Sequence, residues 1–539
     1  MTIASDSRLY RYLHAAIAGV RARHEPLVAF DDRGPASPQT RSRTLLDLGV
    51  LACCGIVLVA LTHTIAQWRV VATHYHTFTA LFVIELALYA LAAAWVIRRK
   101  PPVRWTLALI FLIAFCARLA FIPQMPTVSD DVYRYVWDGR IQVAGINPYR
   151  YAPNDPAVAR FRDRAIYPGI NRKPVPTIYP PVAQGVFRLI YALHPNSVAW
   201  TKFALSVLDL ATMAILVILL VRAGIRPERV LLYAWHPLLI LEVGHSGHID
   251  VVAALFIALA LWARTVDRSA LSGTLLACAT LVKFYALVAL PALLAAPRRN
   301  VRLLAGLIVT TVLAYLPFVS VGTRVFGFLP GYVQQEGISS GKRYYLLHQA
   351  TWLMHRLPGG VSASLAHSPL ALLSATTWYE GGILVAMMTC AVWCWLRPAT
   401  SVRGMADRIA VLFIVLLTLA TPSQPWYVLL LLTCVPLVRG ALLLPVSIVV
   451  GSAGFGYLNE WFPSRPVWPL VVNNDGRALA LALVCIIAIA RWRAERQRPT
   501  APASTSNDDL LSEADQSPLG VSGDAPHSGT GHVGKFDAR

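Results

Sequence analysis

The stretch Ser129-Asp130-Asp131-Val132-Tyr133-Arg134-Tyr135-Val136-Trp137-Asp138-Gly139-Arg140, continuing to Gly145-Ile146-Asn147-Pro148-Tyr149, follows directly on an apolar run from Trp105 to Pro123. That run is close to the ~20 residues needed to cross a bilayer. Two adjacent carboxylates, two arginines and three aromatics therefore stand where the chain leaves hydrocarbon. Unpaired charge at such a depth is costly enough to need a purpose. A membrane-spanning segment that opens into a charged, aromatic loop points to a functional loop held by a membrane frame.

Composition agrees. Of 539 residues, 56% are hydrophobic and 14% charged, with a mean hydropathy of +0.54. A soluble protein averages nearer ~25% charged, so an ordinary soluble fold is excluded and an all-α polytopic membrane protein is expected. The formal net charge of +20 raises the question of nucleic acid. The basic residues fall mostly between apolar runs or in the N-terminal tail, however, with no basic module set apart, so no nucleic-acid partner is expected. All eight cysteines (Cys53, Cys54, Cys116, Cys278, Cys390, Cys394, Cys434 and Cys485) lie in apolar segments, which argues against a disulfide framework or a cysteine zinc site. Residues 1–44 are polar and arginine-rich without an early apolar core, so no cleavable signal peptide is expected and the first span serves as its own insertion signal.

Working outward from the opening stretch, apolar runs cover Leu45 to Gln67 and Thr77 to Ile97 before it. Arg98, Arg99, Lys100 and Arg104 separate the second and third runs, and by the positive-inside rule this link and the N-terminus are cytoplasmic. The loop opening at Ser129 then faces outward. From Gln124 to Pro181 it is polar and repeatedly broken by proline, too long for a simple connection. Val182 to Leu193 is apolar but too short to span, which predicts an interfacial or re-entrant helix. Further runs follow at Val198 to Val221, Val230 to Val243, Ile249 to Ala263, a hairpin from Ala270 to Pro297 turning near Lys283, Leu303 to Ser320, Tyr379 to Leu396, Ile409 to Ala420, Trp426 to Val438, Ala441 to Tyr457 and Ala478 to Ala490. Arginine clusters mark the same, cytoplasmic side throughout. Several runs are short for full spans, so broken or tilted helices are expected among them. The count comes to about 12–14 transmembrane or half-membrane helices between a polar N-terminal tail (1–44) and a disordered cytoplasmic C-terminal tail (493–539), with long external loops at about 124–181 and 321–378.

Several polar elements share the outward face, and each has more than one reading. Asp130 and Asp131 have the chemistry of a positioned base and a tuning neighbour. If a helix starts at Asp130, the same spacing puts Arg134 at i+4 and Asp138 four further on, which also fits a charged ladder on an amphipathic helix with Tyr133, Tyr135 and Trp137 as its aromatic belt. In Gly244-His245-Ser246-Gly247-His248-Ile249-Asp250, the imidazoles and carboxylate suit a divalent cation, a phosphate or a sugar hydroxyl, while the glycines suit a tight helix-to-helix turn. Lys283 sits in an apolar hairpin and either snorkels to the surface or meets an anion. Gly337-Ile338-Ser339-Ser340-Gly341-Lys342-Arg343, followed by His348, can cradle phosphate oxygens or be a plain solvated loop. It lacks nucleoside-triphosphate loop spacing, so no nucleotide cofactor is expected. Trp426 and Tyr427, after Pro425, can be belt residues, stack on a sugar ring or line a lipid groove.

Taken together, Ser129 to Tyr135 with Trp137 to Arg140, Gly145 to Tyr149, Thr177-Ile178-Tyr179-Pro180-Pro181, Gly247 to Asp250, Lys283 and Pro425-Trp426-Tyr427 resemble the GT-C superfamily of polyprenyl-phosphate-sugar-dependent membrane glycosyltransferases, in its bacterial mannosyltransferase-like branch. The resemblance covers about residues 105 to 440. It implies a GT-C-like fold in the cell membrane with the active site on the external face, and inverting transfer from a lipid-phosphate sugar to a lipid or glycan acceptor. It also implies a catalytic acidic residue on the first external loop, here Asp130 or Asp131; many members have Asp-x-Asp or Glu-Asp where this chain has an adjacent pair. The implied substrate-contacting set is Tyr133, Arg134, Asp138, Arg140, Asn147, Tyr149, Tyr179, His248, Asp250, Lys283, Lys342, Arg343, His348, Trp426 and Tyr427. Mannose is the favoured sugar, with arabinose, glucose and galactose as alternatives. Metal dependence varies across such enzymes. A transporter or flippase for a lipid-linked glycan is the alternative class, which would use the same aromatics and cations to bind without reaction; alternating access, however, favours polar groups near the midplane. A noncatalytic assembly subunit would leave the paired aspartates unexplained.

Overall fold

The computed structural model describes residues 38–356, 375–461 and 468–496, and most of both expected tails lies outside them. Among the described residues every regular element is helical. In chain order the main helices are α1 (Pro38–Ala66), α2 (Tyr75–Arg99), α3 (Val103–Phe121), α4 (Asp131–Val143), α5 (Pro181–Leu193), α6 (Val198–Arg222), α7 (Asp250–Thr265), α8 (Ser269–Thr280), α9 (Pro297–Tyr315), α10 (Leu329–Gln335), α11 (Tyr345–Arg356), α12 (Ala375–Leu396), α13 (Val402–Leu419), α14 (Gly440–Ala453) and α15 (Trp468–Arg496). Seven helical stretches among the described residues are long and apolar enough to cross a membrane. The chain is an all-α polytopic membrane protein.

The short apolar runs lie at the centre. Val230 to Val243 is broken into Leu231–Ala234, Pro237–Ile240 and one π-helical turn, Leu241–Ser246, with all of its apolar side chains buried. Leu429–Leu432 is likewise buried on every side, as expected of a helix that is apolar all round. Pro237 removes a backbone donor and ends the first piece. Breaking a helix inside a bilayer frees carbonyls that water cannot reach, so side chains must take them up. Tyr89 donates its hydroxyl to the Leu232 carbonyl at 2.9 Å, and Arg118 Nη1 reaches the Ala234 carbonyl at 3.1 Å. Arg229 donates to the Val438 carbonyl at 2.9 Å, at the end of the run that contains Leu429–Leu432.

Arg118 is also the cation of a buried ion pair: its Nη2 lies 2.6 Å from Asp209 Oδ2, with side-chain exposures of 1% and 0%. Tyr233 donates to the other oxygen of Asp209 at 2.6 Å. One node thus joins α3, α6 and the broken segment. Close packing elsewhere depends on absent side chains: a Cβ on Gly273 of α8 would lie 1.8 Å from the Leu303 carbonyl oxygen, and one on Gly306 of α9 would lie 2.1 Å from that of Ala270. These two helices cross backbone to backbone, the small-residue contact that membrane helices favour.

The first loop is ordered around α4 and α5. Arg134 and Asp138 form the anticipated i,i+4 pair at 2.9 Å, but both are buried. The helix begins at Asp131 and is packed on its sides, so the reading of α4 as an exposed amphipathic ladder does not hold. Tyr135 stacks on Phe187 of α5 at 4.5 Å, and Gln142 donates to Gln184 at 2.8 Å. The short run after Tyr179-Pro180-Pro181 is thus a 13-residue helix whose buried face supports the loop.

Removing one partner of a buried ion pair leaves an uncompensated charge, a loss of ~3–5 kcal/mol. Asp209→Ala is therefore expected to lower the thermal unfolding midpoint of the detergent-solubilised protein markedly. An unchanged midpoint would refute the role given to this node.

Candidate active site

Asp130 immediately precedes α4 and Asp131 is its first residue. Both are held by one side chain: Asn171 Nδ2 donates to Asp130 Oδ1 at 2.7 Å and to Asp131 Oδ1 at 2.6 Å. Asn171 comes from the same loop, just before Arg172, whose φ of 46° is left-handed. Such backbone is strained for a residue with a Cβ and tends to collect at functional sites. Two like charges side by side raise each other's pKa unless something separates them. The amide does part of this, and the surroundings do the rest.

A cavity of about 460 Å³ opens over the pair. Its lining includes Asp130, Asp131, Asn171, Lys283 and Trp426, with Tyr332 and Glu336 contributed by the second long loop. That loop is seated on the first: Phe328 donates its backbone N–H to the Thr177 carbonyl at 3.2 Å, and a Cβ on Gly327 would lie 1.7 Å from the same oxygen. Glu336 sits between Arg172 at 3.7 Å and Arg343 at 3.9 Å.

Beneath the pair, Gly247 turns the chain so that His248 and Asp250 face back toward α4. His248 Nδ1 lies 3.9 Å from Asp131 Oδ2. Asp250 holds Lys283 at 3.1 Å and accepts from the Tyr285 hydroxyl at 2.9 Å. Lys283 is only 16% exposed and lies over the Tyr179 ring at 5.4 Å; it is turned inward to the cavity, not snorkelled outward.

These surroundings treat the two aspartates differently. Burial and the charge of Asp131 together raise the Asp130 carboxyl above its ordinary value. Burial also works against charge on Asp131, but the facing His248 and Lys283, with hydrogen bonds from Asn171 and Tyr179, outweigh it and hold that carboxyl below its ordinary value. Because burial pushes the His248 imidazole itself down to about 4, Lys283 is the standing cation at neutral pH. Asp130 keeps a carboxyl oxygen not engaged by Asn171 and is the more exposed of the two.

The remaining residues singled out from the sequence fall into three groups. Asp131, Arg134, Tyr179, Lys283 and Trp426 line the cavity with Asp130. Asp138, His248, Asp250 and Tyr427 stand one layer behind: Asp138 accepts from Arg134 and Gln184, His248 stacks on Trp426 at 4.2 Å, and Tyr427 shares a 2.8 Å hydrogen bond with Tyr332. Arg343 reaches the site through Glu336. The others are engaged elsewhere. Tyr133 packs against Gly169, Arg140 is taken up by Asp163 and Asn196, and Asn147 bonds the Phe318 carbonyl. Tyr149 donates to the Tyr179 carbonyl at 2.7 Å, and Lys342 gives its carbonyl to His348. Among the described residues no group of three or more His, Cys, Asp or Glu side chains is arranged to hold a metal ion. His245 turns instead to Thr127 Oγ1, 3.4 Å away.

Sequence reasoning overlooked Asn171, Glu336 and Glu242. The first two carry no local signal, since each becomes significant only when distant loops meet. Glu242 did carry one, as a lone carboxylate inside an apolar run.

With this geometry in view, comparison with known families is informative. Residues 43–299 match the family model described as alpha-(1->6)-mannopyranosyltransferase, N-terminal domain, and residues 177–422 match glycosyltransferase family 87. Together the two matches support a GT-C-like glycosyltransferase of the mannosyltransferase type. No curated protein and no solved structure matches it. The two matched stretches overlap between 177 and 299, which contains His248, Asp250 and Lys283, and only the first reaches Asp130 and Asp131.

The shared amide of Asn171 favours the ionised form of both carboxyls. Asn171→Ala is expected to raise both, so that the acid limb of the glycosyltransferase's pH profile moves to higher pH. Measured rates whose acid limb stays where the wild type has it would count against this role.

Proposed function

We propose that this glycosyltransferase moves a sugar, mannose by preference, from a polyprenyl-phosphate-linked donor to a lipid or polysaccharide acceptor on the outer face of the cell membrane, inverting the anomeric carbon, with Asp130 as general base. The observation that carries the reading is the pair of adjacent carboxylates with opposite pKa shifts in one cavity beside Lys283. Where neighbouring titratable groups are pushed apart, the one raised toward the working pH suits proton transfer and the one held ionised suits electrostatic support.

The chemistry then follows. The acceptor hydroxyl gives its proton to the open oxygen of Asp130 as its own oxygen bonds to the anomeric carbon. The bond from that carbon to the phosphate oxygen breaks, and the electron pair leaves with the lipid phosphate. Positive charge builds on the sugar ring in such transfers, and the fixed negative charge of Asp131 answers it. The growing charge on the leaving phosphate falls to Lys283; Arg172 also lines the cavity and shares Glu336 with Arg343. Trp426 offers a face for a sugar ring. No nucleotide takes part, which suits a reaction on the outer face.

A positioned base contributes ~10²–10⁴-fold, so Asp130→Asn is expected to lose transfer by that factor in nanodiscs supplied with polyprenyl-phosphate-mannose, while donor binding and the unfolding midpoint persist. Full activity in this variant would sink the assignment. The base must be ionised to work, so wild-type activity is lost as pH falls through a value above the ordinary carboxylate pKa of ~3.9. In Asp131→Asn, removal of the like charge lowers the Asp130 pKa, and the acid limb of the residual activity shifts down. Separately, Lys283→Met is expected to weaken donor binding roughly tenfold, the order of one charge-assisted hydrogen bond; unchanged affinity would remove Lys283 from the phosphate site.

A further inference from the structure

His248, one layer behind the cavity lining, is fully buried between two carboxyl groups. Its Nδ1 is 3.9 Å from Asp131 Oδ2 and its Nε2 is 3.3 Å from Glu242 Oε2. Neither ring nitrogen makes a hydrogen bond of full geometry among the described residues, although a buried polar group left in that condition costs ~1–3 kcal/mol. A ring placed between two acceptors without donating properly to either is arranged for its other protonation state.

Glu242 is fixed in place for this ring. The Tyr457 hydroxyl donates to Glu242 Oε1 at 2.6 Å, and the backbone N–H of His248 donates to the Glu242 carbonyl at 2.9 Å. Glu242 belongs to the π-helical turn Leu241–Ser246, an element that occurs mostly as single turns at functional sites. Among the described residues, the ionisable groups facing His248 include Asp131 from α4, Asp250 from α7, Glu242 from the π turn and Lys283 from the end of the α8 hairpin. Carboxyl groups thus outnumber the one ammonium in these described surroundings.

The cavity repeats this imbalance. Lys283 is paired with Asp250, Arg134 with Asp138 and Arg172 with Glu336, so every cation lining it already has a carboxylate, and Asp130 and Asp131 add two more negative charges. A phosphate arriving here meets an excess of like charge. A nearby neutral group that can gain a proton relieves it, and burial keeps His248 neutral beforehand.

We propose that Glu242 is a positioning residue that acts through His248: arrival of the anionic donor draws one proton from water onto the His248 ring, whose two N–H groups then point at Glu242 and Asp131. This rests on the donor reading above. The proton is given back to water when the lipid phosphate leaves, so the cycle restores the starting charge. On protonation the stack with Trp426 becomes a cation–π contact, which ties the charge of the ring to a wall of the cavity. Glu242 touches neither substrate; it sets how readily the ring accepts its proton.

The test is titration calorimetry of the full chain in nanodiscs, at pH 7, with polyprenyl-phosphate-mannose as probe, in two buffers of different ionisation enthalpy. The probe's phosphodiester keeps a fixed charge and takes up no proton itself. The heats are expected to differ between buffers in the sense of a net proton uptake on donor binding. His248→Gln should still bind but lose the buffer dependence. Glu242→Gln should show a smaller uptake and bind about tenfold more weakly, as ~1 unit of pKa in the linked group implies, with the deficit shrinking at lower pH. Equal heats in the wild type, a measurement that needs no variant to fold, would overturn the inference and leave the donor reading standing. Buffer dependence that survives in His248→Gln would overturn it too, and a wild type that binds no donor at any pH would overturn both readings.

Discussion

Charge inside a bilayer must be answered within the protein, and the Arg118–Asp209 pair is where this structure meets that constraint most directly. The pair alone would be a poor bargain, since desolvating both ions offsets much of their attraction. The same guanidinium, however, donates to the carbonyls of Ala114 and Ala234. It thereby makes a broken central segment tolerable in hydrocarbon. Because the segment is broken, its polar end turns back at Gly247 and delivers His248 and Asp250 beneath α4. An unbroken helix of the same length would carry those side chains on a straight rod, with only one face toward the first loop.

The lysine clamp near the site obeys the same rule. Lys202 is wholly buried and donates to the carbonyls of Phe121 and Gln124, each at 2.7 Å. It closes the end of α3 where the helix has run out of its own donors. The chain then passes through Thr127 to Asp130. Position at the reactive end is therefore inherited from hydrogen bonds that serve membrane stability first, and the carboxylate pair needs few contacts of its own beyond Asn171.

Much of this was legible in the residues. Apolar runs of spanning length required a helical membrane protein, and the short runs correctly implied broken helices because a segment such as Val230 to Val243 cannot reach across hydrocarbon unaided. Asp130, Asp131 and Lys283 stood out because charge in an apolar setting is costly, and the fold brings all three to one cavity. The i,i+4 spacing of Arg134 and Asp138 was readable, but their burial was not, since periodicity on a 13-residue helix cannot reveal that α5 and the Val175 region cover it. Arg140 shows the opposite failure: its place in a distinctive motif suggested a ligand contact, while the nearer carboxylate of Asp163 and the amide of Asn196 lie 23 and 56 residues away in sequence and left no mark on spacing. Asn171 was invisible for the same reason. Contacts across 40 residues of proline-rich loop are written in the folded path, not in any window of sequence.

That one amide has a further consequence. Asparagine and aspartate have nearly the same shape, and at position 171 the difference between them decides what kind of pocket this is. With nitrogen there, a single donor bridges two carboxyls and leaves them free to differ in acidity. With oxygen there, three carboxylates would crowd one opening, none able to donate to another while ionised, and the arrangement would become a trap for a hard divalent ion. An Asn171→Asp exchange would therefore do more than weaken a contact: it would add a third carboxylate to the opening and favour a bound cation over the shared amide bridge.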